Sequence, residues 1–170
     1  MRPKELAGDE TGHLEVLQHA VRALERKGDR YDAVMVLQPT SPLRGASDID
    51  GSIELLESSN VDSVVSLVHV GGTHPYKTKI VTADGFVDDP PFAVGMSHVP
   101  RQALPDFFHL DGSIYLTRRD VLMGQGLILG RRTLPWIIDA SRSVNIDTPL
   151  DLLVANQLLA KRRCEGAGRG

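Results

Sequence analysis

Residues 32–44, DAVMVLQPTSPLR, decide how the rest of the chain is read. Ala33 to Leu37 form a continuous apolar run with no polar alternation, the pattern of a strand covered on both faces, and we read it as an inner strand of a parallel sheet. At Gln38 the pattern stops. Pro39 and Pro42 each remove a backbone donor and fix a φ angle, so the chain cannot extend a ladder or enter a helix before about Ser47. Taken alone, two prolines after a strand also read as ordinary turn punctuation. In open parallel sheets ligands bind outside the carboxyl ends of the strands, so Gln38, Thr40, Ser41 and Arg44 stand where a site is expected.

Upstream, Leu14, Leu17, Val21 and Leu24 recur at helical spacing and predict a helix over 12–27, ended by Gly28 and Asp29. Downstream, Ser47 and Asp50 read as the capping box of a helix whose stripe is Ile49, Ile53 and Leu56. VDSVVSLVHV, 61–70, is rich in β-branched residues and predicts the next parallel strand, reached by a right-handed crossover. Residues 77–82 and 86–88 flank an Ala-Asp-Gly turn and predict a hairpin. Pro90, Pro91, Pro100 and Pro105 then mark a loop longer than compact domains carry without a purpose, and the whole of about 71–105 reads as an insertion. Beyond it come a strand over 107–116, a short helix over 118–123, and strands over 134–138 and 144–147. Thr148, Pro149 and Asp151 are placed as N-cap, N1 and N3 of a closing helix. The reading is one α/β domain over 1–163 with a disordered tail at 164–170.

With 170 residues the chain is long enough for one domain with a substantial core. Its 19 basic and 22 acidic residues give a formal charge of −3, so no net positive field favours nucleic acid or an anionic membrane. Cys164 stands alone, the N-terminus lacks the apolar region of a signal peptide, and no run approaches the ~20 apolar residues of a membrane span. The cytoplasm is the expected compartment.

For chemistry, Asn145 and Asp147 would share one face of a strand and present an oxygen pair suited to Mg²⁺, which takes one or two carboxylates plus waters and substrate phosphates. Thr148 and Asp151 are better placed as a capping pair. Arg101 offers a planar guanidinium able to clamp a carboxylate through two parallel hydrogen bonds. The six histidines have no metal-ligand spacing, and neither a Gly-x-Ser-x-Gly elbow nor a glycine-rich GxGxxG or GxxxxGK[ST] phosphate loop occurs.

Four strings in order, RPKELAGD at 2–9, LQPTSPLR at 37–44, PRQALP at 100–105 with DGSIYL at 111–116, and IDTPLDL at 146–152, resemble the acylneuraminate cytidylyltransferases, the CMP-N-acetylneuraminate synthetase family. The resemblance implies a Rossmann-like nucleotidyltransferase fold with a mainly parallel sheet. It also implies transfer of CMP from CTP to the anomeric hydroxyl of a sialic-type nine-carbon acid, with Mg²⁺ and release of pyrophosphate. By the same resemblance Arg2 contributes to the nucleotide pocket, Gln38, Thr40, Arg101, Gln102 and Tyr115 line the sugar-acid pocket, and Asp147 is the catalytic carboxylate that holds the metal with Asn145. The insertion would pack across a homodimer.

The sequence departs from the family in two ways. The family opens with a strand and a loop of the type ARxGSKGIPxKN that binds the nucleotide phosphates, which this chain lacks, so an N-terminally truncated fold is expected. The family also usually has Asp where Asn145 stands and Asn where Asp111 stands, which removes a negative charge at 145. Two other readings stay open: a non-catalytic sugar-acid-binding or dimerisation module, and a pseudaminic or legionaminic acid cytidylyltransferase.

Overall fold

The computed structural model describes residues 3–6, 8 and 12–167, with side chains described as far as Arg162. The apolar stripe beginning at Leu14 forms helix α1, His13–Glu25, and Gly28 beyond it takes a φ of 99°, which favours glycine. Strand β1, Ala33–Val36, then enters a four-stranded sheet with β2, Ser63–His69, β5, Phe108–Arg118, and β6, Thr133–Ile137, in the order β1-β5-β2-β6. Strands β3, Ile80–Val81, and β4, Val87–Asp88, form a separate hairpin.

The protein is α/β, but its sheet is mixed where a mainly parallel one was expected. Strand β5 runs antiparallel to both β1 and β2, and only β2 and β6 pair in parallel. The physical reason is the long excursion before β5, which returns the chain from the carboxyl end of β2 and so threads β5 back between β1 and β2. Strand β1 accordingly lies at the edge of this sheet, not inside it.

Side chains alternate across the strands and sort into two layers. Met35, Val64, Ile114, Leu116, Leu134 and Trp136 pack with Leu55 and Leu56 of helix α2, Ala46–Ser58. Val34, Val36, Tyr115 and Thr117 face Leu17 of α1, Leu122 and Ile128. Helices therefore cover both faces, and each fully buried aliphatic such as Ile114 contributes about 1.5–3 kcal/mol.

Helix α2 starts earlier than its expected cap. Gly45 is the N-cap, and its N–H donates to Asp48 Oδ2 at 2.8 Å, so Asp48 fills the first-turn position assigned to the Ser47 and Asp50 pair. Proline restricts its own φ and the residue before it but not the residues after it, so two residues after Arg44 the chain is free to turn helical.

Between β2 and β5 the register breaks: Val65 pairs with Tyr115 and Leu67 with Leu110, so Ser66 alone opposes Asp111 to Ile114. Ser66 Oγ accepts from the Ile114 N–H at 2.8 Å and lies 3.2 Å from the Ile114 carbonyl, standing in for missing ladder bonds. Such a bulge bends its strand and re-aims the extra residues.

The segment 71–106 forms an arm whose base is closed by the Val70 N–H donating to the Phe107 carbonyl at 3.0 Å. The predicted hairpin is present, and the proline-rich loop resolves into short 3-10 turns at Pro91–Ala93, Met96–His98 and Arg101–Ala103. Lys77 Nζ donates to the Ser97 and Val99 carbonyls at 2.7 Å each. His74 is buried, its Nδ1 accepting from the Tyr76 N–H and its Nε2 lying 3.0 Å from the Pro105 carbonyl. A carbonyl only accepts, so Nε2 carries the proton.

Past β5, the expected short helix is a single π turn, Val121–Gln125, closed by Gly126 at φ 67°. The expected strand over 144–147 does not form. That segment lies against the proline loop, which offers no ladder, and makes one backbone bond to it, from the Ile146 N–H to the Thr40 carbonyl at 2.8 Å. Thr148 and Asp151 cap helix α3, Pro149–Ala167, as the sequence predicts: Asp151 Oδ2 accepts from the Thr148 N–H at 2.7 Å and its hydroxyl at 2.8 Å. The helix runs into the segment read as a tail, continued by the strong helix formers Lys161, Arg162 and Arg163. Among the described residues no helix is long and apolar enough to cross a membrane.

Candidate active site

The loop leaving β1 is held rigid by its own side chains. The Ser41 N–H donates to the Gln38 carbonyl at 3.2 Å, and Arg44 Nη1 donates to the carbonyls of Gln38 and, at 2.8 Å, Ser113. Arg44 is thus engaged in tying the proline loop to the bulge of β5. Ser41 Oγ adds a second tie, donating to the Asp111 carbonyl at 3.1 Å.

The bulge brings Gly112, which is buried, against the proline loop and Asn145. Its φ is +81°, and a Cβ there would stand 2.6 Å from Gln38 Oε1, 2.9 Å from Ser41 Oγ and 3.5 Å from Asn145 Oδ1. Three side-chain oxygens therefore crowd the space that a Cβ would take at this glycine. Beside it Asp111 is buried, and its carboxylate accepts from the Ser113 N–H at 3.1 Å and the Ser113 hydroxyl at 2.6 Å. Asn145 Nδ2 donates to Asp147 Oδ2 at 2.7 Å, which leaves Asn145 Oδ1 as the one buried side-chain oxygen or nitrogen without a hydrogen-bond partner among the described residues. A buried unpaired acceptor is costly, and a ligand that donates or a cation would satisfy it.

A cavity of about 690 Å³ opens next to this cluster, lined by Val16 and Leu17 of α1, Val36 of β1, Leu37 and Gln38 just after it, and Tyr115 among others. Burial, and then the Asp111 carboxylate nearby, push the Tyr115 hydroxyl above its ordinary value, so it remains a protonated donor at neutral pH.

Of the site residues expected from sequence, Gln38 and Tyr115 line the cavity, and Gln38 and Asn145 meet around Gly112 with Asp147 attached to Asn145. Thr40 is joined to the same segment through its carbonyl. Arg101 and Gln102 are not brought there: both are exposed on the last turn of the arm, and the Arg101 guanidinium donates to the Gly71 carbonyl. Arg2 lies outside the described residues.

Sequence reasoning passed over Asp48, Arg142 and Trp136, which join the walls of the crevice from behind. Asp48 Oδ2 accepts from Arg142 Nη1 at 2.7 Å and Oδ1 from Arg142 Nη2 at 3.0 Å and Trp136 Nε1 at 3.3 Å. Burial raises the Asp48 carboxyl, but Arg142, the Gly45 N–H and Trp136 outweigh it and hold the carboxyl below its usual range. The only sequence signal was an acid three residues after Gly45, hidden by the stronger-looking Ser47 cap.

The donor chemistry fits a hard divalent ion. Among the described residues no three His, Cys, Asp or Glu side chains converge, so an ion here would rest on the Asp147 carboxylate, the Asn145 amide oxygen and groups brought by the substrate. Mg²⁺ is bound in that way in phosphoryl-transfer sites.

The chain is similar over almost its whole length to several curated proteins, among them an N-acylneuraminate cytidylyltransferase and a CMP-N,N'-diacetyllegionaminic acid synthase. It is 25% identical over 162 residues, 95% of its length, to an N-acylneuraminate cytidylyltransferase of Escherichia coli. It is 26% identical over 165 residues to post-translational flagellin modification protein B of Campylobacter coli. It is 23% identical over 160 residues to the CMP-N,N'-diacetyllegionaminic acid synthase of Legionella pneumophila. The chain spans 37% of the Escherichia coli protein, 68% of the Campylobacter protein and 67% of the Legionella protein. These matches agree with the resemblance carried by the four strings. No family model matches the chain.

Proposed function

We propose that this protein is a cytidylyltransferase of Rossmann-like nucleotidyltransferase fold that activates a sialic-type nine-carbon acid with CTP. In that reaction the anomeric oxygen bonds to the α-phosphorus of CTP, the bond from that phosphorus to the β-phosphate breaks, pyrophosphate leaves, and the hydroxyl gives up its proton. The observation that carries the reading is the meeting of Gln38 Oε1 and the unpaired Asn145 Oδ1 at Gly112, beside Asp147 and a cavity of suitable size. The names of the relatives support the substrate class.

In this reading Gln38 and Ser41 accept from sugar hydroxyls, and the protonated Tyr115 hydroxyl donates to a polar group of the acid from the opposite wall. Asp147 and Asn145 would hold Mg²⁺, which when bound offsets negative charge on the phosphates. Asp111 is buried behind Gly112, its side chain accepting from the Ser113 N–H and hydroxyl, and so helps to fix the bulge. We assign dimerisation to the arm, on which Val81, Phe86, Val87, Phe92 and Val94 are each at least 61% exposed.

The test is pyrophosphate release by the 170-residue chain from CTP and N-acetylneuraminate with Mg²⁺, compared with Asp147→Ala. Release that falls at least 100-fold in the variant supports the reading, on the scale of a lost electrostatic stabiliser. Calorimetric binding of the sugar acid without release would favour the non-catalytic sugar-acid-binding module. Running N-acetylneuraminate, legionaminic and pseudaminic acids side by side identifies the acid.

A further inference from the structure

Asp48 is 3% exposed and every lone-pair direction of its carboxylate is used. It accepts from Gly45 at the start of α2, from Trp136 on β6, and twice from Arg142 in the turn Ala140–Arg142. A buried ion pair is a weak source of net stability, because desolvation offsets most of the attraction. What a two-pronged guanidinium–carboxylate contact does fix is geometry. Here it fixes the turn that leads, three residues later, to Asn145.

The stretch 143–147 has few other fasteners. Upstream, the Ser143 N–H donates within the turn to the Ala140 carbonyl at 3.3 Å. Downstream, the Ile146 N–H reaches Thr40, and the Asp147 N–H reaches Asp151 Oδ2 at 3.2 Å. Asn145 is thus suspended between two clamps, Arg142 on Asp48 and Ile146 on Thr40. Both clamps end on the segment from the proline loop to the first turn of α2, the same segment that presents Gln38 and Ser41. The separation between Gln38 on one wall and Asn145 and Asp147 on the other is set by this pair of clamps.

We infer that Arg142, locked by Asp48, is a positioning residue for the oxygen donors Asn145 and Asp147. The inference rests on the proposed role of Asp147 as holder of a divalent ion. Lysine at 142 would keep the charge and lose the fork, so it separates geometry from electrostatics.

The test measures Mn²⁺ binding to the full chain by water-proton relaxation, below the melting temperature of each variant, with melting followed by circular dichroism. Asp147→Asn is expected to abolish binding. Arg142→Lys is expected to weaken it about tenfold, no more than the low end of the range for groups hydrogen-bonded directly to a metal ligand, with the fold retained. Asp48→Asn is expected to do the same, and if it does not fold, Arg142→Lys carries the test alone. Trp136→Phe removes one Asp48 contact without touching Arg142, and should lower the melting temperature while leaving Mn²⁺ affinity within about twofold. Wild-type affinity in folded Arg142→Lys, or an equal loss in Trp136→Phe, would overturn positioning while leaving the role of Asp147 intact. No Mn²⁺ binding by the wild type, or unchanged binding in Asp147→Asn, would remove that role and this inference with it.

Discussion

Gly112 combines two demands that no other residue meets: a φ of +81° and the close approach of three side-chain oxygens that leaves no room for a Cβ. Alanine there is expected to lose about 1–2 kcal/mol of stability for the left-handed backbone. It should also push the Gln38 amide out of the crevice, since Ser41 is held by its bond to Asp111 and cannot yield as easily. Thermal melting reads the first effect and calorimetry with N-acetylneuraminate the second; unchanged sugar binding would mean that Gln38 does not serve the pocket. Asp48 makes a prediction in pH. Its carboxyl is held below the usual range in the folded protein, so its contribution is present above the unfolded value of about 4 and is lost as pH falls through the folded one. Melting temperature should therefore drop on acidification below pH ~4, and drop less steeply in Asp48→Asn, which starts lower.

At the scale of elements, α2 carries Gly51 in its middle, where glycine normally gives up about 1 kcal/mol against alanine. Here a Cβ would overlap the Trp136 ring, so the glycine lets α2 settle onto β6. Gly51→Ala should then destabilise by about 1–3 kcal/mol in denaturant unfolding; a gain would show that the ring moves freely. The sequence revealed much at this scale, and for definite reasons. The stripe of α1, the apolar run of β1 and the Thr148–Asp151 cap are local patterns, and each formed where its residues stand. The sheet pairing was not legible, because the order of β5 between β1 and β2 depends on the path of a long excursion and not on any residue in the strands. The segment at 144–147 misled for a related reason: its β-branched and alternating residues suit a strand, but its neighbour has prolines where a ladder would need donors. The candidate site was legible in part. Gln38, Asn145 and Asp147 were marked by strings with recognisable chemistry, whereas Gly112, Asp48 and Arg142 act through contacts between residues far apart in sequence.

Across the whole molecule, the arm stands apart from the sheet in its bonding. It is organised by its own lysines, with Lys77 on the 97 and 99 carbonyls and Lys79 paired with Asp89, and by the packing of His74, Tyr76 and Phe107 rings at its root. Within the arm Ala93 is buried, but the large apolar residues Ile80, Val81, Phe86, Val87, Phe92 and Val94 are exposed and form the surface proposed to meet another copy. The Val70 to Phe107 bond already closes the two stems into a hairpin-like neck. The arm is therefore a cassette: trimming 71–106 to a two-residue Asn-Gly link, which suits tight antiparallel connections, should leave a monomeric protein that still melts cooperatively. Sedimentation would report the change in assembly, and loss of the folded sheet would show that the graft point was misjudged. If the trimmed protein holds, the two tasks proposed for this chain, gripping a small acid and gathering copies of itself, would be separable parts that could be exchanged independently.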